Sequence, residues 1–188
     1  MTLYPAFLKL SGRPVLLVGG GRVAASKLRG LLDAGADVTV IAPSILPDLW
    51  QPGVRLILRR FEPRDVEECW FVVSASTAEV NRQVSEAARA RRVFVNAVDD
   101  VDSASVYLGG VVRRGAATVA ISTGGRAPAL AGLLREALER LLPHDLGDWV
   151  TSAERLRERW RAEGVPFEAR RPLLLRALDE IYGTREPA

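Results

Sequence analysis

The residues best suited to chemistry in this 188-residue chain fall in two short segments. The first is Gly19-Gly20-Gly21-Arg22-Val23-Ala24, which fits the pattern G-x-G-x-x-A. In such a loop the first glycine permits a tight turn. The second lets the backbone approach a pyrophosphate, and the small third residue lets the helix close on the strand. A helix that starts there offers unpaired N–H groups and a partial positive charge to an anion. The alternative is a glycine-rich turn that holds nothing. Context favours the ligand, because the loop ends an apolar run and opens a helical pattern. The second segment is Asn96-Ala97-Val98-Asp99-Asp100. A carboxylate there could take up a proton while a hydride leaves a bound substrate. Equally, both aspartates could do no more than cap a turn. On the residues alone both readings stand.

These segments need strand ends to hold them. Pro14-Val15-Leu16-Leu17-Val18 is a continuous apolar run, the mark of a strand buried on both faces. The pattern predicts further strands over 38–41, 54–58, 70–73 and 93–95, with helices over 23–34 and 79–90. Strands alternating with helices imply a Rossmann-type α/β fold with a parallel sheet. In such sheets ligands bind outside the carboxyl ends of the strands, where both segments lie. Beyond about residue 103 the pattern changes. Residues 105–112 and 118–122 read as a hairpin joined through Arg113-Arg114-Gly115. A helix over 129–142 follows, then two arginine-rich helices over 146–162 and 168–182.

Composition narrows the function. Lys9 and Lys27 are the only lysines, so nearly all the positive charge is arginine. Arginine forks suit carboxylates and phosphates. Here they interleave with glutamates, as in Arg135-Glu136 and Glu154-Arg155, which reads as solvated helix faces and not as a nucleic-acid surface. Cys69 is the only cysteine and reads as a buried strand residue in a reducing compartment. With His144 the only histidine, no His/Cys metal site can be assembled. No signal peptide and no membrane-length apolar run is present, so a cytoplasmic protein is expected. One generic feature is missing. The second strand ends in Ile41-Ala42-Pro43-Ser44, with no acid for the ribose hydroxyls. Ser44 or backbone groups could contact the ribose, and the residues alone leave NAD and NADP open.

Several motifs recur together in order: Leu3-Tyr4-Pro5-Ala6-Phe7-Leu8-Lys9-Leu10, Val18 through Ala24, Asn96-Ala97-Val98-Asp99, and Val119-Ala120-Ile121-Ser122-Thr123-Gly124-Gly125 followed by Pro128 and Leu133-Leu134-Arg135. Their combination resembles the precorrin-2 dehydrogenase module of siroheme synthases, closely over residues 3–145 and loosely beyond. The resemblance implies oxidation of precorrin-2 to sirohydrochlorin with NAD as cofactor, a step toward siroheme and in some organisms toward cobalamin. Some members also insert ferrous iron. It implies a homodimer whose middle segment makes contacts between subunits. The expected layout is therefore an NAD-binding segment over 1–112, a dimerisation segment over 113–145 and a helical segment over 146–188. The aspartate of the family's N-x-V-D motif falls on Asp99, as the catalytic residue, with Asn96 beside it. The expected cofactor contacts are then Gly19, Gly21, Arg22, Val23, Pro43, Ser44 and Asn96, and the missing ribose acid is normal for the family.

On the substrate side the resemblance points to Ser122, Thr123, Gly124 and Arg126. There the family's serine pair is Ser122-Thr123, and its Thr-Ser is Arg126-Ala127. Arg113, Arg114 and Arg126 are candidate partners for the carboxylates of a tetrapyrrole. Many members carry a fused methyltransferase domain, which these 188 residues are expected to lack. Two other readings compete: a dinucleotide-sensing module without turnover, and a chelatase with a vestigial cofactor site.

Overall fold

A computed structural model describes residues 3–182 of the chain. Residues 1, 2 and 183–188, part of the first and last expected segments, lie outside the described residues. The chain divides into two compact units. One comprises residues up to Leu108 together with Gly124–Ala127, and the other comprises Gly109–Thr123 and the chain from Pro128 onward.

The first unit is a five-stranded sheet in the order β3-β2-β1-β4-β5, with every neighbouring pair parallel. Its strands are β1 (Pro14–Val18), β2 (Asp37–Ile41), β3 (Arg55–Ile57), β4 (Phe71–Ser74) and β5 (Phe94–Ala97). Helix α1 (Arg22–Asp33) joins β1 to β2, and α2 (Ala78–Ala90) joins β4 to β5. The apolar runs are continuous because each face of the sheet is covered. Val15 and Leu17 pack with Ala24, Leu28 and Leu31 of α1, while Leu16 and Val18 pack with Val84, Ala87 and Ala88 of α2. Truncating Leu17, which is fully buried, to alanine costs about 2–5 kcal/mol.

The links flanking β3 hold only short 3-10 turns, Pro47–Leu49 and Pro63–Val66, which the periodicity does not reveal. The second turn is anchored by Asp65, whose carboxylate accepts from the Arg59 guanidinium at 2.6 and 2.8 Å and from the Glu62 N–H at 2.8 Å. Burial alone would push the Asp65 carboxyl up, but the bonds from Arg59 and Glu62 outweigh it and hold it below its ordinary value.

The second unit holds an antiparallel hairpin, β6 (Gly110–Arg114) with β7 (Ala117–Ile121), and three helices. These are α3 (Pro128–Leu141), α4 (Leu146–Ala162) and α5 (Phe167–Tyr182). Two sequence expectations shift here. Arg113 and Arg114 lie in the strand, paired with Thr118 and Ala117, so the turn is Gly115-Ala116. The strand expected over 105–112 begins only at Gly110. Ser105 and Val106 instead donate their N–H groups to Val95 O, at 2.9 and 3.0 Å, and run beside β5 in the first unit. Both segments are apolar enough to read as strand, and the difference lies in which neighbour pairs with them.

Candidate active site

The sheet changes winding direction between β1 and β4, which places a crevice beyond their carboxyl ends. A cleft of about 160 Å³ opens there. It is lined by Val23 at the start of α1, by Ala75, Ser76 and Ala78 after β4, by Asn81 on α2, and by Val98, Asp99 and Asp100 after β5. Val23 and Asp99, drawn from the two chemical segments of the sequence, therefore face one cavity.

Two of the three loop glycines have a steric reason. Gly19 has a φ of +128°, and a Cβ there would stand 2.2 Å from Ala75 O. A Cβ on Gly20 would stand 1.8 Å from Ser44 O, and Gly20 O accepts from the Leu46 N–H at 2.9 Å. Gly20 thus locks the loop after β1 onto the loop after β2, a role the fingerprint did not assign it. At Gly21 a Cβ would meet nothing within 4 Å. Gly21 precedes α1 in extended conformation, and no side chain caps the helix. The first-turn N–H groups have no acceptor within the helix. An uncapped helix start behind an open glycine fits a dinucleotide pyrophosphate. Arg22, Pro43 and Ser44 are exposed around it, and Val23 is 48% exposed.

The two aspartates divide their work. Asp100 caps the turn, its Oδ1 accepting from the Ser103 N–H at 3.1 Å. Asp99 is exposed at the cleft, and its carboxylate has no hydrogen-bond or ion-pair partner among the described residues. Its backbone has a φ of 58°, in the left-handed region. Aspartate tolerates that region better than most residues, and Asp99 lies in a turn in which the Asp100 N–H donates to Ala97 O at 3.4 Å.

The peptide before Asp99 is bonded by Asn81, which the sequence motifs do not single out. Asn81 is 2% exposed, yet polar. Its Oδ1 accepts from Ser74 Oγ at 2.7 Å and from the Ser76 N–H at 3.2 Å, and its Nδ2 donates to Val98 O at 3.0 Å. A signal was present: Asn81 falls on the apolar face of α2, in phase with Val84 and Ala88.

Asn96 has a different place from the other cofactor candidates. It is buried in β5, its side-chain amide donates to Val106 O at 2.8 Å, and it is not among the cleft-lining residues. It ties the segment after Ser105 to the sheet. On the substrate side, Ser122 and Thr123 belong to the second unit and Gly124 and Arg126 to the first. Gly124 and Gly125 have φ values of +65° and +75°. A Cβ on Gly125 would stand 2.8 Å from Val101 Cγ2, so glycine is required there. Arg126 and Arg113 are exposed. Arg114 is not a free cation: its Nη2 donates to Glu139 O at 2.6 Å near the end of α3.

Cys69 departs from its expected place. It precedes β4, is half-buried, and its thiol donates to Asp65 O at 3.2 Å. Burial, followed by the charges of Asp65 and Glu68, pushes the thiol up to about 11, which keeps it protonated and unreactive near neutrality. Among the described residues no group of three His, Cys, Asp or Glu side chains could hold a metal ion. None of their helices is long and apolar enough to cross a membrane.

Fold and cleft together define a dinucleotide-binding Rossmann protein with a free carboxylate beside the cofactor cradle. Comparison with known proteins agrees and goes further. An NAD(P)-binding family model matches residues 6–110, and the model for the sirohaem biosynthesis protein central region matches residues 114–141. Siroheme synthase 3 of Aeromonas hydrophila is 43% identical over 176 residues, covering 91% of this chain and 38% of that protein. Siroheme synthase 2 of Klebsiella pneumoniae is 44% identical over 172 residues, covering 89% of this chain and 38% of its own length. The chain therefore spans well under half of these relatives. The solved structure of SirC, precorrin-2 dehydrogenase, superposes with a TM-score of 0.75 at 25% identity, covering 96% of this chain and 92% of that one. The chain belongs to the siroheme synthase family, matching the part of those proteins that it covers.

Proposed function

We propose that this chain oxidises precorrin-2 to sirohydrochlorin, with NAD+ reduced to NADH and one proton released. The observation that carries the reading is the partnerless Asp99 carboxylate in the same cleft as the start of α1. Gly19 and Gly20 shape the cradle, and Gly21 with the first turn of α1 holds the pyrophosphate. Arg22, Val23, Pro43 and Ser44 flank the nucleotide. When bound, the nicotinamide supplies a two-electron acceptor. Asp99 takes the proton that the macrocycle must also lose, because it faces the cleft without a competing partner. Ser122, Thr123, Gly124 and Arg126 are assigned to the substrate side on the family resemblance, with exposed Arg126 offered to a substrate carboxylate.

NAD is favoured over NADP by the family. A homodimer is supported by Leu130, Leu133, Leu134 and Leu141 of α3, all exposed and 42–76% accessible. The segment 113–145 would then serve dimerisation, and 1–112 the cofactor. A single protonated thiol fits a reducing, cytoplasmic setting. A sensor without turnover has no use for a carboxylate that faces the cleft without a partner among the described residues.

The test is direct. The purified chain is mixed with precorrin-2 and either NAD+ or NADP+, with and without ferrous iron, while NADH and tetrapyrrole absorbance are followed. NADH formed in proportion to sirohydrochlorin supports the reading. Dinucleotide binding without turnover would leave the sensor.

A further inference from the structure

Asn81 makes one of its bonds at the peptide that leads into Asp99. The Val98 carbonyl that it holds belongs to the peptide whose nitrogen is that of Asp99. The other side of the same amide is pinned to the end of β4 by Ser74 Oγ and the Ser76 N–H. The orientation of the amide follows from chemistry. The Ser76 N–H can only donate, so the atom facing it is oxygen, and the atom facing Val98 O is the NH2. The Val98 N–H also reaches across to Ser74 O at 2.9 Å. The ends of β4 and β5 are therefore clamped together, and the clamp sits on the peptide from which the left-handed Asp99 departs.

We propose that Asn81 is a positioning residue for the oxidation, fixing the peptide plane before Asp99 so that its carboxylate faces the substrate in the cleft. The inference rests on the precorrin-2 dehydrogenase reading. Two predictions separate it from a purely structural role. The rate of the chemical step depends on Asn81, because a small misplacement of a reacting group costs about 100-fold. Dinucleotide affinity does not, because the glycine loop and α1 supply the pyrophosphate contacts.

The experiment compares Asn81→Asp and Asn81→Leu with the wild-type chain. Asn81→Asp keeps the size and the oxygen that serves Ser74 and Ser76. Asn81→Leu removes every polar contact without adding charge. The two variants share one loss, the donor to Val98 O. The readout is the single-turnover rate constant for precorrin-2 oxidation at saturating NAD+, which does not depend on the fraction of folded enzyme. The expected result is a fall of about 100-fold in both, with the dinucleotide Kd close to wild type. A wild-type rate constant in either variant overturns the proposal. If Asn81→Leu fails to fold, Asn81→Asp, which preserves the Ser74 and Ser76 bonds, decides alone. Absence of turnover in the wild-type chain would sink the dehydrogenase reading itself, and this inference with it. Turnover in wild type with undiminished variants would sink the inference only.

Discussion

In the parallel-sheet unit Val15, Leu17, Val38, Val40, Val72 and Val73 are at most 1% exposed. In the hairpin-and-helix unit the buried apolar side chains, among the described residues, are Val112, Ala131 and Trp160. The first has a core on each face of its sheet and places its chemistry at one end of it. The second leaves Leu133 63% and Leu141 76% exposed on the same helix that carries buried Ala131. The contrast teaches that the two units meet different demands. One must hold a carboxylate and a cofactor cradle to within a fraction of an ångström, which a close-packed core permits. The other offers apolar surface, which fits a second copy of the chain.

If that division of labour is right, damage to the two units has different consequences. The largest effect is expected at Asp99. Asp99→Asn should lower turnover by about 10²–10⁴-fold. The melting temperature and dinucleotide Kd should stay close to wild type, and full activity would remove Asp99 from its assigned role. Next comes Gly20→Ala, whose Cβ would stand 1.8 Å from Ser44 O. The loop must move, so calorimetry should show dinucleotide affinity weakened by about tenfold or more, equivalent to about 1.4 kcal/mol. Unchanged affinity would mean that the lock between the two loops is dispensable.

The second unit should respond otherwise. On the proposed homodimer, the wild-type chain is expected to sediment as a dimer and Leu133→Glu combined with Leu134→Glu as a monomer, while dinucleotide affinity changes little. A wild-type sedimentation profile would show that this face is not the interface. The smallest effect concerns the 3-10 turn held by Asp65. Asp65→Asn should lower the melting temperature by a few degrees. The native Asp65 carboxyl lies below its ordinary 3.8, so its contribution is fully present above that value. It fades as the pH falls through the lowered native value. The melting curves of wild type and variant should therefore converge in strong acid and differ near neutrality.

The cradle was more legible than the catalytic loop. Gly19-Gly20-Gly21 announced itself because close backbone contacts leave no substitute for glycine at Gly19 and Gly20, and the apolar run of β1 marked where the loop must sit. Asp99 and Asp100 could not be told apart from sequence, since the same residue type serves as a turn cap and as a base. Geometry separated them: Asp100 bonds the Ser103 N–H, and the Asp99 carboxylate has no partner among the described residues. Asn96 was grouped with the cofactor contacts; its amide nitrogen donates to Val106 O, and its Oδ1 is buried without a partner among the described residues. Its motif neighbourhood is visible in sequence, whereas the direction of its side chain is set by what lies across β5.

The sequence by itself determined the winding of the sheet, because alternation of apolar runs with amphipathic helices admits few packings. It determined the cofactor class through the glycine spacing, and the family through motifs that recur in order. The tertiary structure alone decided which aspartate is free and which polar residue steers it. It also decided that Arg114 is bound to a backbone carbonyl near the end of α3 and is not offered as a free cation. The physical reason is range. Periodicity and turn chemistry are written in neighbouring residues, while a hydrogen bond from Asn81 to Val98 O joins positions 17 apart and exists only after β4, α2 and β5 have packed.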